Sequence, residues 1–544
     1  MLKKNRHVAV LVSIIMIMSL IGGCGNANIQ TTGSEMLRIG WNSEPDTLNP
    51  LTSYSTESMQ ITNLIYEPLI GYDTDLNFVY KLAKSFEYSN DSKTITYHLQ
   101  EGVDWQDGEP FTSDDVAFTY NLIKDESLGE AAQFLEHLDS VETPDEVTVV
   151  FNFTAPQAFN CAPAIPILPE HIWDEMSAAD IEAYANDEPI GTGAFKFVEW
   201  VQGASITLER NEDYYGNQPG PSKIIYILYG NEDVLVQALR AGEVDIIPEA
   251  SPTLWESLVG EENIKAVSLD SFSFHQIGIN MDTSGNSLGN PMLLDKEVRK
   301  ALNFIADRQK ITDIVIAGHG SPGSVLIPDG LKEWQYQVTD EEKMDGNIEE
   351  AKAVLEAAGY IDIDGDGIRE KDGKKMDFRI MASEGTPVDV RAAQLFRDSA
   401  KEAGINITLT AMDENTMGGL IYDSDSPDWD LYVWGWDSEY PDPSYLLGIP
   451  LTSQIGINNE LYYRNPEYDN LYFKQANEMD KEKRKQIINE MQQIFYDDGG
   501  YIILWYQDKL QAYRTDTWTG WKECVGGIIY GVTYENYLNI TPVK

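Results

Sequence analysis

Residues 434–447, Trp-Gly-Trp-Asp-Ser-Glu-Tyr-Pro-Asp-Pro-Ser-Tyr-Leu-Leu, set four aromatic rings (Trp434, Trp436, Tyr440, Tyr445) among three carboxylates (Asp437, Glu439, Asp442). Pro441 and Pro443 stiffen the backbone between them. A carboxylate walled in by aromatic rings pairs strongly with an incoming ammonium. Water is excluded there, and the rings add cation–π attraction and flat packing area. The stretch therefore has the chemistry to grip an amine; without a ligand role it would be an acidic Asp-Pro turn. The run before it, Asp-Leu-Tyr-Val at 430–433, reads as a buried strand that the prolines forbid to continue, so a rigid loop begins at Gly435.

A second constellation has metal-ligand spacing. Asp362-Ile-Asp-Gly-Asp-Gly-Ile-Arg-Glu370 places carboxylates at alternate positions, with Gly367 at the sharp turn, as in the first half of an EF-hand loop. The twelfth position is Gly373 rather than Glu, so Glu370 or Asp372 would have to finish the shell. Asp362, Asp364, Asp366 and Glu370 are the candidate ligands of a structural Ca2+; the alternative is an Asp-Gly-rich turn after a helix that stops at Gly359.

The 544 residues are 42% hydrophobic and 11% aromatic, enough to bury a large core divided into two or three lobes. A formal charge of −50 disfavours nucleic acid and anionic surfaces. At the N-terminus Lys3, Lys4 and Arg6 precede an uncharged run from Val8 to Gly23, short for a membrane span and suited to a signal peptide over 1–23. The run exits through Leu20-Ile-Gly-Gly-Cys24, which resembles the lipobox of bacterial lipoproteins. The resemblance implies acylation of Cys24, a flexible tether over 24–36, and attachment to the extracellular face of a cell membrane, or its periplasmic side in a host with an outer membrane. Cys161 and Cys524 remain, bonded to each other or free.

Elements are legible by period and punctuation. Residues 94–103 alternate as a strand. Asp107-Gly108 makes a turn, and a helix follows that Ser113 can cap, with Asp114 and Asp115 at its positive end. Apolar faces predict helices over 295–306, 347–358, 387–403 and 481–495, with Gly359 and Gly404 ending two of them. Helices alternate with strands such as 405–409.

Trp105-x-Asp-Gly-x-Pro-Phe-Thr-x-Asp-Asp-Val116, within residues 82–118, closely resembles the signature of the family 5 extracellular solute-binding proteins, the oligopeptide- and dipeptide-binding receptors of ABC importers. Gly191-Thr-Gly-Ala-Phe195, Asn211-Glu-Asp-Tyr-Tyr-Gly216, Ala238-Leu-Arg-Ala-Gly-Glu-Val-Asp245, Asp295-Lys-Glu-Val-Arg-Lys-Ala-Leu302 with Asp307-Arg308, and the 434–443 loop follow in the family's order. The resemblance implies an α/β, periplasmic-binding-protein-like fold of type II, cluster C. Lobe I would comprise 37–274 and 506–544, with a subdomain around 55–185, and lobe II would be 275–505. The crossings near 273–278 and 503–507 would be hinges.

It also implies a monomeric receptor that closes on a solute and hands it to a permease with its ATPase subunits, with no catalysis and no required cofactor. By register, Glu439 meets the peptide ammonium where relatives usually carry Asp. Trp436 walls that subsite, with Trp434, Tyr440, Asp442 and Trp505 as further cleft contacts. The loop at 382–387 lacks the basic residue that dipeptide binders use for the ligand carboxylate, and Arg391 falls in the following helix, so oligopeptides fit better. Oligosaccharides remain the alternative for a Trp-rich acidic cleft. The histidines are scattered in sequence, with none near the 434–443 loop. A secreted glycosidase could use Asp437 and Glu439, but no nucleophile elbow, HExxH or P-loop accompanies them.

Overall fold

The structure, a computed structural model, describes residues 35–422, 425–438, 440–529 and 535–544. Cys24, and with it the predicted signal peptide and most of the tether, lies outside the described residues, as does Glu439.

Three larger sheets organise the chain. The first has seven strands, in the order Ile264–Leu269, Lys509–Arg514, Ile246–Ile247, Met36–Trp41, Lys223–Leu228, Ser205–Arg210 and Phe195–Val201. At its centre Met36–Trp41 runs parallel to both neighbours, with Ile39 opposite Tyr226 and Ile246. The second has six strands, ordered Gly320–Pro322, Tyr501–Gln507, Phe274–Ile279, Leu431–Trp436, Asp377–Ser383 and Asn406–Met412. A four-stranded antiparallel sheet (Ala83–Tyr88, Thr94–Leu99, Thr148–Phe153, Leu138–Asp145) carries the Trp105 signature beside it.

The chain passes from the first sheet to the second at residues 270–273 and returns at Asp508. The two passages are neighbours: Ser271 Oγ donates to the Gln507 carbonyl, and Gln507 N donates to Ser273 O at 3.4 Å. Of the segments 273–278 and 503–507, expected as crossings, all but Ser273 belong instead to paired strands of the second sheet. Buried apolar runs such as Tyr501-Ile-Ile-Leu-Trp-Tyr506 are driven into the sheet centre, which leaves the polar Asp270, Ser271 and Asp508 to span the gap.

Alternation sorts the six-stranded sheet into two cores. Leu431, Val433, Ile277 and Leu504 face helices Lys296–Ile305, Ile348–Ala357 and Pro387–Glu402. Phe274, Tyr432, Tyr501 and Ile503 face the opposite, aromatic core with helix Lys481–Asp498. The helix ends follow their caps. Asp295 and Asn347 accept from Glu297 N and Glu350 N, and Gly359 and Gly404 (φ +87° and +83°) follow the ends of helices Ile348–Ala357 and Pro387–Glu402. The helix after Trp105 is capped one residue earlier than expected. Thr112 accepts from Asp114 N, and Asp115 returns a bond to Thr112 N in a capping box. Cys161 and Cys524 are both buried and no disulfide joins them; the Cys524 thiol donates to the Gly527 carbonyl at 2.6 Å.

Candidate functional site

The Leu431–Trp436 strand pairs along its whole length with Phe274–Ile279, and Leu431 and Tyr432 also pair with Asp377–Ser383, so the end where the loop begins is held from one edge, by residues 274–276. Trp434 and Trp436 are half-buried against the aromatic core. Trp436 packs edge-on to Tyr445 at 6.4 Å, and its Nε1 donates to Glu460 Oε1 at 2.8 Å. Tyr501 Oη donates to the same oxygen at 2.7 Å, and Glu460 is buried. Burial raises its carboxyl pKa above the ordinary range, the hydrogen bonds from Tyr501 and Trp436 opposing only part of that shift.

Tyr440 reaches out of the second sheet's framework. Its ring lies 5.4 Å from Phe134 and 6.2 Å from Phe159, both attached to the four-stranded sheet, and 6.0 Å from Tyr445. It also lines a cavity of about 120 Å3 together with Leu51, Thr62, Tyr72 and Pro163. Asp437 is exposed, with Oδ2 3.5 Å from Lys509 Nζ, which in turn lies 3.7 Å from Glu249.

Two expected cleft contacts are turned inward. Asp442 is buried and bidentate to Arg484, with Nη1 to Oδ2 at 2.7 Å and Nη2 to Oδ1 at 2.8 Å. Burial alone would raise its pKa, but the Arg484 guanidinium and the bonds from Ser444 hold it below the ordinary aspartate range. Its oxygens are committed to the protein, so it braces the Pro-Asp-Pro turn instead of meeting a solute. Trp505 is fully buried and stacked on His275, with centroids 4.5 Å apart and planes 13° from parallel.

His275 itself was missed. Antiparallel pairing brings it opposite Gly435, where an added Cβ would stand 3.0 Å from the imidazole, and its Nδ1 is 2.8 Å from Asp389 Oδ1. Sequence distance hid a histidine that borders the loop's strand.

A cavity of about 430 Å3 opens between the first and second sheets. Trp41, Glu57, Glu249 and Lys509 line it from the side of the first sheet, and His319 and Val388 from the side of the second. It sits beyond the carboxyl ends of the parallel strands Met36–Trp41 and Ile246–Ile247, where α/β sheets present their ligand crevices. Among the described residues, none of the sequence-predicted ligand contacts lines this cavity, but Lys509 on its wall pairs with Asp437 of the predicted loop.

At the possible metal loop, carboxylate oxygens of Asp362, Asp364 and Glu370 lie within 4.8 Å of one another. Asp366, the fourth expected ligand, is instead paired with Lys375, which also bonds Asp364 at 2.8 Å.

Two sheets joined by adjacent passages, with a ligand-sized cavity between them and a rigid aromatic loop at its edge, define a solute-binding α/β protein. The chain belongs to the bacterial extracellular solute-binding proteins, family 5, whose middle region it matches over residues 77–457. This is a family of binding proteins, not of enzymes. The chain is 29% identical over 537 residues to the oligopeptide-binding protein AppA of Bacillus subtilis, covering 94% of this chain and 95% of that one. The solved structure of that protein in complex with a nonapeptide superposes with a TM-score of 0.77 at 27% identity, covering 94% and 99%. An oligopeptide-binding protein of Thermotoga maritima solved with mannohexaose shares the fold, with a TM-score of 0.76 at 22% identity and coverage of 94% and 99%. Among the described residues no helix is long and apolar enough to cross a membrane.

Proposed function

We propose that this protein captures extracellular oligopeptides in the cleft between its two large sheets and delivers them to an ABC permease and its ATPase subunits. The observation that carries the reading is the 430 Å3 cavity walled by both sheets, with the loop's Asp437 tied to its wall through Lys509. Its size falls in the range of small-ligand sites. Similarity to a nonapeptide-binding relative across 94% of the chain supports peptide over other solutes. Glu439 receives the ligand ammonium, while Trp434, Trp436 and Tyr440 supply aromatic walls. Lobe I (37–274 and 506–544) and lobe II (275–505) turn about residues 270–273 and Asp508, and closure marks the loaded state for the permease.

The receptor acts as a monomer, held to the membrane by lipid on Cys24. Substituting Cys24 by Ala releases it into the medium or periplasm; retention in the membrane fraction would count against the anchor.

Native mass spectrometry of the purified protein, then thermal-shift screening of peptide and oligosaccharide pools on wild type and Glu439→Ala, tests the substrate class. Stabilisation by peptides that the substitution abolishes is the expected result. Stabilisation by oligosaccharides alone overturns the peptide reading, and an unaffected Glu439→Ala overturns the ammonium site.

A further inference from the structure

The 362–370 loop stands apart from the cleft and has a closed neck. Ile361 and Glu370 exchange backbone hydrogen bonds, Ile361 N to Glu370 O at 3.2 Å and Glu370 N to Ile361 O at 2.9 Å. Arg369 then pins the neck to the surrounding helices, donating to the Tyr360 carbonyl and to the Ala403 carbonyl, each at 2.9 Å. The carboxylates inside cannot drift apart without breaking these ties.

Three of them converge. One oxygen each of Asp362, Asp364 and Glu370 falls within a 4.8 Å span. Oxygens around a calcium ion with bonds of roughly 2.3–2.6 Å are at most about 4.6–5.2 Å apart, so one ion can reach all three. Convergent acidic groups alone would be an ordinary surface turn. Glu370 differs from its neighbours: it is only 7% exposed, and its Oε2 is buried with no hydrogen-bond partner among the described residues. An unpaired carboxylate oxygen removed from water costs free energy that a cation beside it would recover.

The loop also carries its own substitute cation. Lys375 Nζ lies 2.8 Å from Asp364 Oδ2 and pairs with Asp366, so a single ammonium answers two carboxylates of the loop, while among the described residues Glu370 meets no cation and its Oε1 accepts only from Ile363 N at 3.3 Å. We infer that this loop is a Ca2+ site, with Asp362, Asp364 and Glu370 as ligands and Lys375 as the internal competitor that the ion displaces, freeing Asp366 to join the shell. Hard oxygen donors and four carboxylates select a hard divalent cation, and an irregular shell supplied mostly by carboxylates favours Ca2+ over Mg2+, which demands strict octahedral geometry and keeps several waters. Without a bidentate twelfth-position Glu the affinity belongs to the weak extracellular class, with Kd on the order of 10⁻⁴–10⁻³ M. Bound calcium would brace the corner between helices Ile348–Ala357 and Pro387–Glu402 independently of solute.

Isothermal titration of the chelator-stripped full chain with CaCl2 alone tests this. One saturable site per chain is expected, weakened at least tenfold in Asp364→Asn and Glu370→Gln. Lys375→Met should bind Ca2+ about five- to tenfold more tightly than wild type, because its competing charge is gone. That gain cannot come from misfolding. No saturable binding up to roughly 10 mM, equal affinity in Asp364→Asn, or unchanged or weaker affinity in Lys375→Met would overturn the site.

Discussion

Arg484 clamps Asp442 through two parallel hydrogen bonds across 42 residues of sequence, and adds a third contact to Ser444 Oγ at 2.9 Å. The pair is buried, so the turn bearing the candidate ammonium site is anchored from inside the protein rather than from solvent. Replacing Asp442 by Asn leaves the guanidinium buried and uncompensated. A loss of about 3–5 kcal/mol of stability is expected at neutral pH. The pH dependence has a definite sign. The folded carboxyl titrates below its unfolded value, so its contribution is present above the unfolded pKa of about 3.9 and is lost as pH falls through the folded one. Denaturant midpoints of wild type and Asp442→Asn should therefore converge as pH drops from 5 towards 3. A gap that stays constant would mean that the charge of Asp442 is not what stabilises the turn.

Much of this architecture is legible in sequence because its causes are local. Asp295 and Asn347 announce helix starts and Gly359 and Gly404 announce helix ends, whereas the strand expected to stop before Gly435 runs on to Trp436, because Gly435 and Trp436 pair with His275 and Phe274. The loop's aromatic and acidic content is equally visible. What escaped depends on pairings that no window contains: Arg484 with Asp442, Lys509 with Asp437, and His275 laid against Gly435 and Trp505. Asp442 looked available because its partner is 42 residues downstream, and Trp505 looked like cleft surface because tryptophan serves both core and ligand walls. The 430 Å3 cavity between the sheets lies where strands far apart in the chain become parallel neighbours, and that adjacency is a tertiary fact.

Glu460 behaves oppositely to Asp442. Its folded pKa is raised by burial, so the folded state keeps a proton that the unfolded chain has lost above about pH 4.3. Stability linked to this group is intact below that value and declines as pH rises through the folded pKa. Glu460→Gln keeps an acceptor for Trp436 and Tyr501 without the charge. The variant should gain on wild type as pH rises from 5 to 8. Parallel urea titrations at the two values would show it, and a pH-independent difference would remove ionisation from the explanation.

The Gly191 and Gly193 positions of the Gly-Thr-Gly-Ala-Phe motif have a steric reason. A Cβ on Gly191 would sit 1.9 Å from the Ile65 carbonyl oxygen, and one on Gly193 2.4 Å from that of Leu64. Backbone cannot yield as a side-chain tip can, so Gly191→Ala should cost about 3 kcal/mol or more. Gly108 has open space around it but φ of +96°, so its Ala variant should lose only about 1–2 kcal/mol. Thermal melts ranking the two in reverse would place the constraint in the dihedral angles rather than in the close approach.

His319, on the wall of the cavity, packs against Trp255 behind it. The rings meet edge-on at 4.7 Å, and His319 Nε2 lies 2.9 Å from Glu256 Oε1. Trp255 packs against the first sheet through Nε1 bonds to the Val267 and Gln511 carbonyls, while His319 immediately precedes the edge strand of the second. The contact therefore joins the two bodies that the hinge proposal sets in motion. An aromatic contact of this kind contributes about 0.5–1.5 kcal/mol. Removing it by His319→Ala should lower the closed population and weaken solute affinity by roughly two- to tenfold, since apparent affinity scales with the competent fraction. Small-angle scattering should show a larger radius of gyration for the solute-free variant than for wild type, with the two curves coinciding once solute saturates. If scattering and affinity both stay at wild-type values, the His319–Trp255 contact plays no part in holding the cleft shut, and closure must be governed at residues 270–273 and Asp508 and by the solute itself.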